Sequence, residues 1–347
     1  MADESVVAVT GVSGFLGQRL LPLLDASPHV DRVVGLDIRD PARRARKLEF
    51  RRVDVLSTDL APYLRDASSV VHLAAATRPI PDATLFMRVN VDGTRRVLEA
   101  ASAAGVRKIV RPSSSAIYGA WANNPVPLTE DAPLRPSPSY LPAIVDAECE
   151  RLLAQWAAAP GRTATRLRIA PIVGGGASSI LTAAATRHAP ANVRVRGAAP
   201  PVQLVHVDDA AAALELACEL DLDGAYNVAA DGWLSYEEAG ALIAARGVPA
   251  LPVSLAAKAL RLSWMTGVGD APPSLLPYLV HPFVVANDRL KSAGWKPRHS
   301  NEEALLLAGG VPDRSVWPWI AGAGAVTTGA AIGTWWLTRH ARRRRRR

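Results

Sequence analysis

The segment Val6-Val7-Ala8-Val9-Thr10-Gly11-Val12-Ser13-Gly14-Phe15-Leu16-Gly17 passes from an apolar, β-branched run into three glycines, with a helical pattern over Phe15–Asp25. Strand, glycine turn and helix in that order are the setting in which a glycine triplet binds phosphate. Gly11 allows the tight turn, Gly14 lets the backbone approach a pyrophosphate, and Gly17 lets the helix pack close to the strand. The first helical amides then face an anion, because they have no intrahelical acceptor. Asp37, at the end of the next apolar run, stands 20 residues beyond Gly17. A carboxylate there accepts the adenosine ribose hydroxyls and repels a 2′-phosphate, which favours NAD over NADP. Arg39 is the contrary signal, since an arginine at that point can meet a 2′-phosphate.

Outward from this turn, short apolar runs bounded by Gly, Asp or Pro alternate with longer helical stretches, the pattern of βαβ units around a parallel sheet. Strands are expected at Val6–Thr10, Arg32–Asp37, Phe50–Val55, Val70–Ala75, Lys108–Ser113 and Thr165–Val173, with helices at Phe15–Asp25, Thr84–Ala104 and Tyr140–Ala158. The expected fold is α/β: a doubly wound, Rossmann-type parallel sheet over residues 1–173, a smaller substrate lobe at 174–313 of which 203–229 returns to the sheet, and a C-terminal hydrophobic helix within 314–347. A 347-residue chain that is 49% hydrophobic has the material for such a core, which excludes a disordered or disulfide-stapled chain. Net charge is +8, but Arg339–Arg347 holds seven arginines, so the rest is about +8 − 7 = +1 and the basicity belongs to the tail. Cys149 and Cys218 are far apart and lack metal-type spacing, so no zinc site or disulfide framework is expected.

Five further motifs accompany the glycine run in order: Val53-Asp54-Val55, His72-Leu73-Ala74-Ala75, Asn90-Val91-Asp92-Gly93-Thr94, Ser113-Ser114-Ser115-Ala116-Ile117-Tyr118-Gly119 and His206-Val207-Asp208-Asp209. Over roughly residues 5 to 300 the series resembles the extended short-chain dehydrogenase/reductases of the NAD-dependent epimerase/dehydratase family. The resemblance implies that Gly11, Ser13, Gly14, Phe15, Leu16, Gly17, Asp37 and Arg39 surround a bound NAD and that Asp54 and Val55 lie at its adenine. It further implies that Leu73, Ala74 and Ala75 line its channel, with Asn90 as a structural member of the set and Tyr140 and Pro171 also at the cofactor. Hydride transfer between a substrate carbinol and nicotinamide is the implied chemistry, with Tyr140 moving the hydroxyl proton and Ser115 orienting that oxygen.

The same resemblance calls for a lysine four residues after the tyrosine, where i and i+4 share a helix face and an ammonium lowers a phenol pKa that is ordinarily about 10. This chain has Ile144 there, and none of its five lysines is adjacent in sequence. Isoleucine offers neither charge nor donor, and its apolar bulk raises the phenol pKa further. An arginine from the small lobe is one substitute, although Arg stays charged and carries protons poorly. Tyr118 is a second candidate base, or else a structural tyrosine after the fifth strand. Two classes stay open: an NAD(P)-dependent epimerase or dehydrogenase/reductase acting on a nucleotide sugar, sterol or lipid-linked substrate, and a non-catalytic NAD(P)-binding sensor or scaffold. Dehydration is disfavoured, because sugar dehydratases of the family resemble Thr-Asp-Glu where this chain has Ser115-Ala116-Ile117. Trp233, Trp264 and Trp295 in the small lobe read as core rather than sugar-stacking platforms.

Ser315–Thr338 carries no charge and exceeds the roughly 20 residues a membrane helix needs, with Trp317 and Trp319 at one end and Trp335 and Trp336 at the other. Its interior of Ala, Gly and Thr contributes little insertion energy. Membrane contact through 315–338 and the Arg342–Arg347 run is expected: either the tail is translocated against its charge preference, or the segment lies in the interface or re-enters with the arginines held by anionic headgroups. Nucleic acid is disfavoured as a partner, because no basic patch or recognised module accompanies the tail. The acidic N-terminus runs straight into a strand without a basic, then apolar, leader, so a cytoplasmic catalytic domain is expected. A small-molecule substrate is the expected partner, and a homodimer is compatible with the sequence.

Overall fold

The computed structural model describes residues 5–77, 82–175, 181, 194–242, 250–266 and 272–308. Its strands are β1 (Val6–Thr10), β2 (Arg32–Asp37), β3 (Leu48–Arg52), β4 (Ser69–His72), β5 (Lys108–Ser114), β6 (Thr163–Ile169), β7 (Ile172–Val173), β8 (Arg194–Val195), β9 (Val205–His206), β10 (Gly224–Val228) and β11 (Ala250–Leu251). Seven of them form one parallel sheet in the order β10-β6-β5-β4-β1-β2-β3, and β7 with β9 and β8 with β11 make two short parallel pairs. The helices used below are α1 (Gly17–Ala26), α2 (Ala61–Leu64), α3 (Ala83–Met87), α4 (Gly93–Ala103), α5 (Leu141–Ala157), α6 (Val207–Glu219), α7 (Tyr236–Leu242) and α8 (Val253–Thr266).

Strand alternation distributes the core over both faces of the sheet. Val7 and Val9 pack with Leu20, Leu21 and Leu24 of α1 and Ala210, Ala213 and Leu214 of α6. Val6 and Ala8 pack on the other side with Leu64 of α2, Val97 and Leu98 of α4 and Leu153 and Trp156 of α5. The strand order reverses between β1 and β4, and in an open α/β sheet the crevice outside the carboxyl ends at such a reversal is the ligand site. Within 203–229, β10 lies beside β6 in the large sheet, while β9 pairs with β7 apart from it.

Three expected strands end early, each for a local reason. Asp54 turns the chain after β3 by accepting the Leu56 amide (2.9 Å). Beyond β4 the chain runs over the glycine turn, where Leu73 donates to the Thr10 carbonyl (2.9 Å) and Ala74 to the Thr10 hydroxyl (3.3 Å). The last run divides at Pro171, which has no N–H for a ladder. The expected helix Thr84–Ala104 is α3 and α4 joined by a π-turn at Arg88–Asp92. The expected C-terminal helix and arginine tail lie outside the described residues, and among those described no helix is long and apolar enough to cross a membrane.

Candidate active site

The glycine turn closes at the carboxyl end of β1. Gly11 has φ +73°, and a Cβ there would come within 2.5 Å of the Ala74 nitrogen, so both its conformation and its neighbour demand glycine. A Cβ on Gly17 would collide with the carbonyls of Gly11 and Val12, which is how α1 sits so close to its own strand. Asp37, buried at the end of β2, accepts the Ser13 amide (3.0 Å) on one oxygen and the Arg39 amide (3.0 Å) on the other, while the Ser13 hydroxyl donates to the Arg39 carbonyl (2.7 Å). Asp37 thus clamps the two loops together and keeps further lone pairs for ribose hydroxyls. The amides of Phe15 and Leu16, just ahead of α1, have no hydrogen-bond partner among the described residues. Loose amides at a helix start beside an oriented carboxylate fit the pyrophosphate and ribose of a dinucleotide.

Beneath this turn a buried relay ties β1 to β4 and α4. Thr10 Oγ1 and His72 Nδ1 are 2.7 Å apart, His72 Nε2 is 3.1 Å from Thr94 Oγ1, and Thr94 donates to the Asn90 carbonyl (2.7 Å). Burial, with the Arg111 charge nearby, pushes His72 down to about 3, so the ring stays neutral. Asn90, in the π-turn, accepts the Ala76 amide (3.0 Å) and donates to the Phe86 carbonyl (2.9 Å), which fixes the chain leaving Leu73-Ala74-Ala75. Asp54 and Val55 lie at the end of β3, with Asp54 exposed and Val55 buried, and Pro171 follows β6 with its carbonyl accepting the Val205 amide (3.1 Å).

At the carboxyl end of β5, Ser115 opens a 3₁₀ turn, Ser115–Tyr118. The Ser115 hydroxyl is enclosed and has no hydrogen-bond partner among the described residues. An oxygen that water cannot touch is equally closed to a substrate oxygen unless the turn shifts. Ser114 is partly exposed, and its hydroxyl accepts the Ala116 amide (3.2 Å), which leaves its proton free to donate.

Tyr140 precedes α5 and is buried, its ring packed on that of Tyr278 (centroids 5.0 Å apart). The Tyr278 hydroxyl donates to the Ala116 carbonyl (2.9 Å), so one residue braces both the tyrosine and the serine turn. Tyr278 lies too far along the chain for any spacing argument to find it. Burial pushes the Tyr140 phenol well above its ordinary value, and Tyr278 and Asp146 add to the rise. Arg111, the buried cation of this region, is already paired with Asp146 (3.2 Å). Tyr118 is held instead as structure: it donates to Asn227 Oδ1 (2.8 Å), accepts from Arg168 (2.8 Å), and burial pushes it up to about 12 against the pull of that arginine.

The sequence model of the NAD dependent epimerase/dehydratase family matches residues 7–229. The chain belongs to that family. A UDP-glucose 4-epimerase of Mycolicibacterium smegmatis is 38% identical over 146 residues, 38% of this chain and 45% of that protein. An uncharacterized protein of Mycobacterium bovis is 31% identical over 245 residues, 67% of this chain and 64% of its own length, so the match spans just under two thirds of that relative. Among solved structures, MoeE5 in complex with UDP-glucuronic acid and NAD superposes with a TM-score of 0.67 at 25% identity, covering 90% of this chain and all of the other.

Proposed function

We infer that this member of the family is an NAD-dependent oxidoreductase or epimerase acting on a secondary alcohol or the matching ketone. The Gly11–Gly17 turn and the Asp37 clamp at the carboxyl ends of β1 and β2, with Tyr140 linked through Tyr278 to the serine turn that follows β5, carry this reading. Bound NAD supplies a hydride acceptor that can also return the hydride. Asp37 holds the ribose and disfavours a 2′-phosphate. Tyr140 carries the proton of the reacting hydroxyl, and a serine of the Ser113–Ser115 triplet orients that oxygen. Support for nucleotide-sugar carbinols comes from the smegmatis epimerase and from the UDP-glucuronic acid complex of MoeE5.

The enclosed state of Ser115 makes Ser114 the stronger candidate for orientation, although Ser115 fills that role if the turn opens. Ser114→Ala is expected to lower kcat by about 10²-fold, the usual cost of one lost donor at a reacting oxygen, with Ser115→Ala near wild type. Steady-state rates of the two variants check this, and the reverse order would return the role to Ser115. Purified full-length protein, denatured and analysed by mass spectrometry, tests the function itself. Near-stoichiometric NAD with some NADH is expected. Absence of bound nucleotide together with no affinity for NAD or NADP on titration would remove the reading.

A second reading, an NAD-binding sensor or scaffold without turnover, is favoured by one observation. Ile144 leaves the elevated Tyr140 phenol without a lysine. Under it, the same titration gives affinity while no carbinol changes the cofactor's redox state. Anchoring through 315–338 and the arginine tail belongs with either reading and rests on that segment's length and tryptophan belts.

A further inference from the structure

We propose that the outward face of α8 is a seat for an anionic membrane surface. The helix lies in the plane of the headgroups, with Leu255, Leu262 and Met265 among the acyl chains and Lys258 and Arg261 on anionic headgroups. The proposal is independent of the oxidoreductase reading and of anchoring through 315–338.

An ordinary surface helix turns its apolar stripe inward and its polar residues to water. In α8 only Ala256 and Leu260 are buried. Leu260 packs in one cluster with Ala116, Tyr140, Ala143, Leu275 and Tyr278, so the inner face of the helix covers the reacting end of the site. On the other side Leu255, Lys258, Leu262 and Met265 recur at three- and four-residue spacing and share a face. Leu262 at 64% and Met265 at 71% are the two most exposed large apolar side chains among the described residues, and Leu255 is exposed beside them. Single exposed apolar residues are ordinary on a protein surface, but three along one helix face mark an interaction surface. Trp264, expected from sequence to be core, is exposed at the flank of this stripe. An indole there suits the headgroup level of a bilayer.

Charge selects the partner. From Ala239 in α7 to Gly269 the sequence holds no acid and three cations, Arg246, Lys258 and Arg261. Lys258 stands within the apolar stripe, where its long stem can lie along the leucines while the ammonium reaches out to headgroups. Apolar side chains on one helix face with Lys and Arg among them, and no acid, are the composition of a helix that binds an anionic interface.

A second copy of the chain fits this face poorly. Lys258 and Arg261 are placed symmetrically about the middle of the 14-residue helix. A two-fold pairing through the same patch therefore sets the cations of one copy against those of the other, with no carboxylate on either helix to answer them. An anionic bilayer neutralises the same two charges.

The test uses the full chain carrying Met265→Cys. Cys149 and Cys218 are both buried, so an environment-sensitive fluorophore attaches at residue 265. Leu220→Cys is the reference position. It is exposed just beyond α6, whose Cys218 carbonyl accepts Lys108 at the start of β5 (2.9 Å), the opposite end of the sheet from the serine turn. With vesicles of equal parts phosphatidylglycerol and phosphatidylcholine, emission from residue 265 is expected to shift to the blue, and emission from residue 220 is expected to stay put. Pure phosphatidylcholine should shift neither. Adding Lys258→Gln and Arg261→Gln should raise the lipid concentration for half the shift by about tenfold, and adding Leu262→Asp should abolish the shift. All of these positions are exposed, and an unchanged thermal midpoint verifies the fold. No shift at residue 265 would overturn the proposal, and cosedimentation with the vesicles in that case would assign membrane contact to another segment. An equal shift on neutral vesicles would overturn it as well. A shift without vesicles that grows with protein concentration would give the face to a second copy instead.

Discussion

Tyr140→Phe is expected to lower kcat by about 10²-fold, at the lower end of the usual range for a general acid–base group, while NADH affinity stays near wild type. The modest size follows from the environment of the phenol. Burial, Tyr278 and Asp146 all favour its protonated form, so little phenolate is present near neutral pH for the substitution to remove. In the direction of alcohol oxidation the wild-type rate should climb with pH, because the basic form of a group with a raised pKa grows about tenfold per pH unit below that pKa. Tyr140→Phe should flatten the climb. Ile144→Lys should move it to lower pH, since an ammonium one helical turn along stabilises the phenolate. Rates measured across neutral and alkaline pH for the three proteins decide the matter. A Phe variant that keeps both the rate and its pH dependence would exclude Tyr140 as the proton carrier.

The glycine turn and its acidic partner are local in sequence, and their arrangement was legible there. Gly11, Gly14 and Gly17 sit within one turn, and Asp37 ends the adjacent strand, so strand order alone carries its carboxylate to the Ser13 amide. The reacting half is assembled from distant segments and was legible only in part. The family resemblance pointed to Ser115 and Tyr140, but the sequence could not show that the Ser115 hydroxyl is enclosed while Ser114 is partly exposed. Tyr278 could not be found from sequence, because the residue that braces Ala116 and stacks on Tyr140 arrives from the far end of the chain. Tryptophans in a lobe of alanines read as core, yet Trp233 and Trp264 are 40% and 39% exposed while Trp295 is buried, a difference set by tertiary packing that composition does not carry.

Glu150→Leu is expected to destabilise the fold by about 3–5 kcal/mol, the cost of stranding a buried charge. Glu150 on α5 meets Arg168 on β6 through both of its oxygens (2.8 and 3.1 Å), with both side chains almost fully buried. Burial works against the charged guanidinium, but Glu150 overcomes it and holds Arg168 in the charged state. Arg168 also donates to the Tyr118 hydroxyl (2.8 Å) and the Glu130 carbonyl (3.1 Å), and the Glu130 side chain accepts the Asn227 amide of β10 (2.8 Å). One ion pair therefore joins α5, β6, β10 and the turn that begins at Ser115. Urea unfolding of Glu150→Leu, Arg168→Met and the double variant separates the pair from its surroundings. The double variant should be far less destabilised than the sum of the singles, because removing both charges leaves neither one unpaired. Strict additivity would mean that the two side chains act independently and that the network does not couple α5 to the serine turn. Since Tyr140 stands at the head of α5 and Tyr118 at the end of that turn, weakening this joint should also loosen Tyr140 against the serine turn that Tyr278 holds beside it, lowering kcat in Glu150→Leu under conditions where the protein is still fully folded.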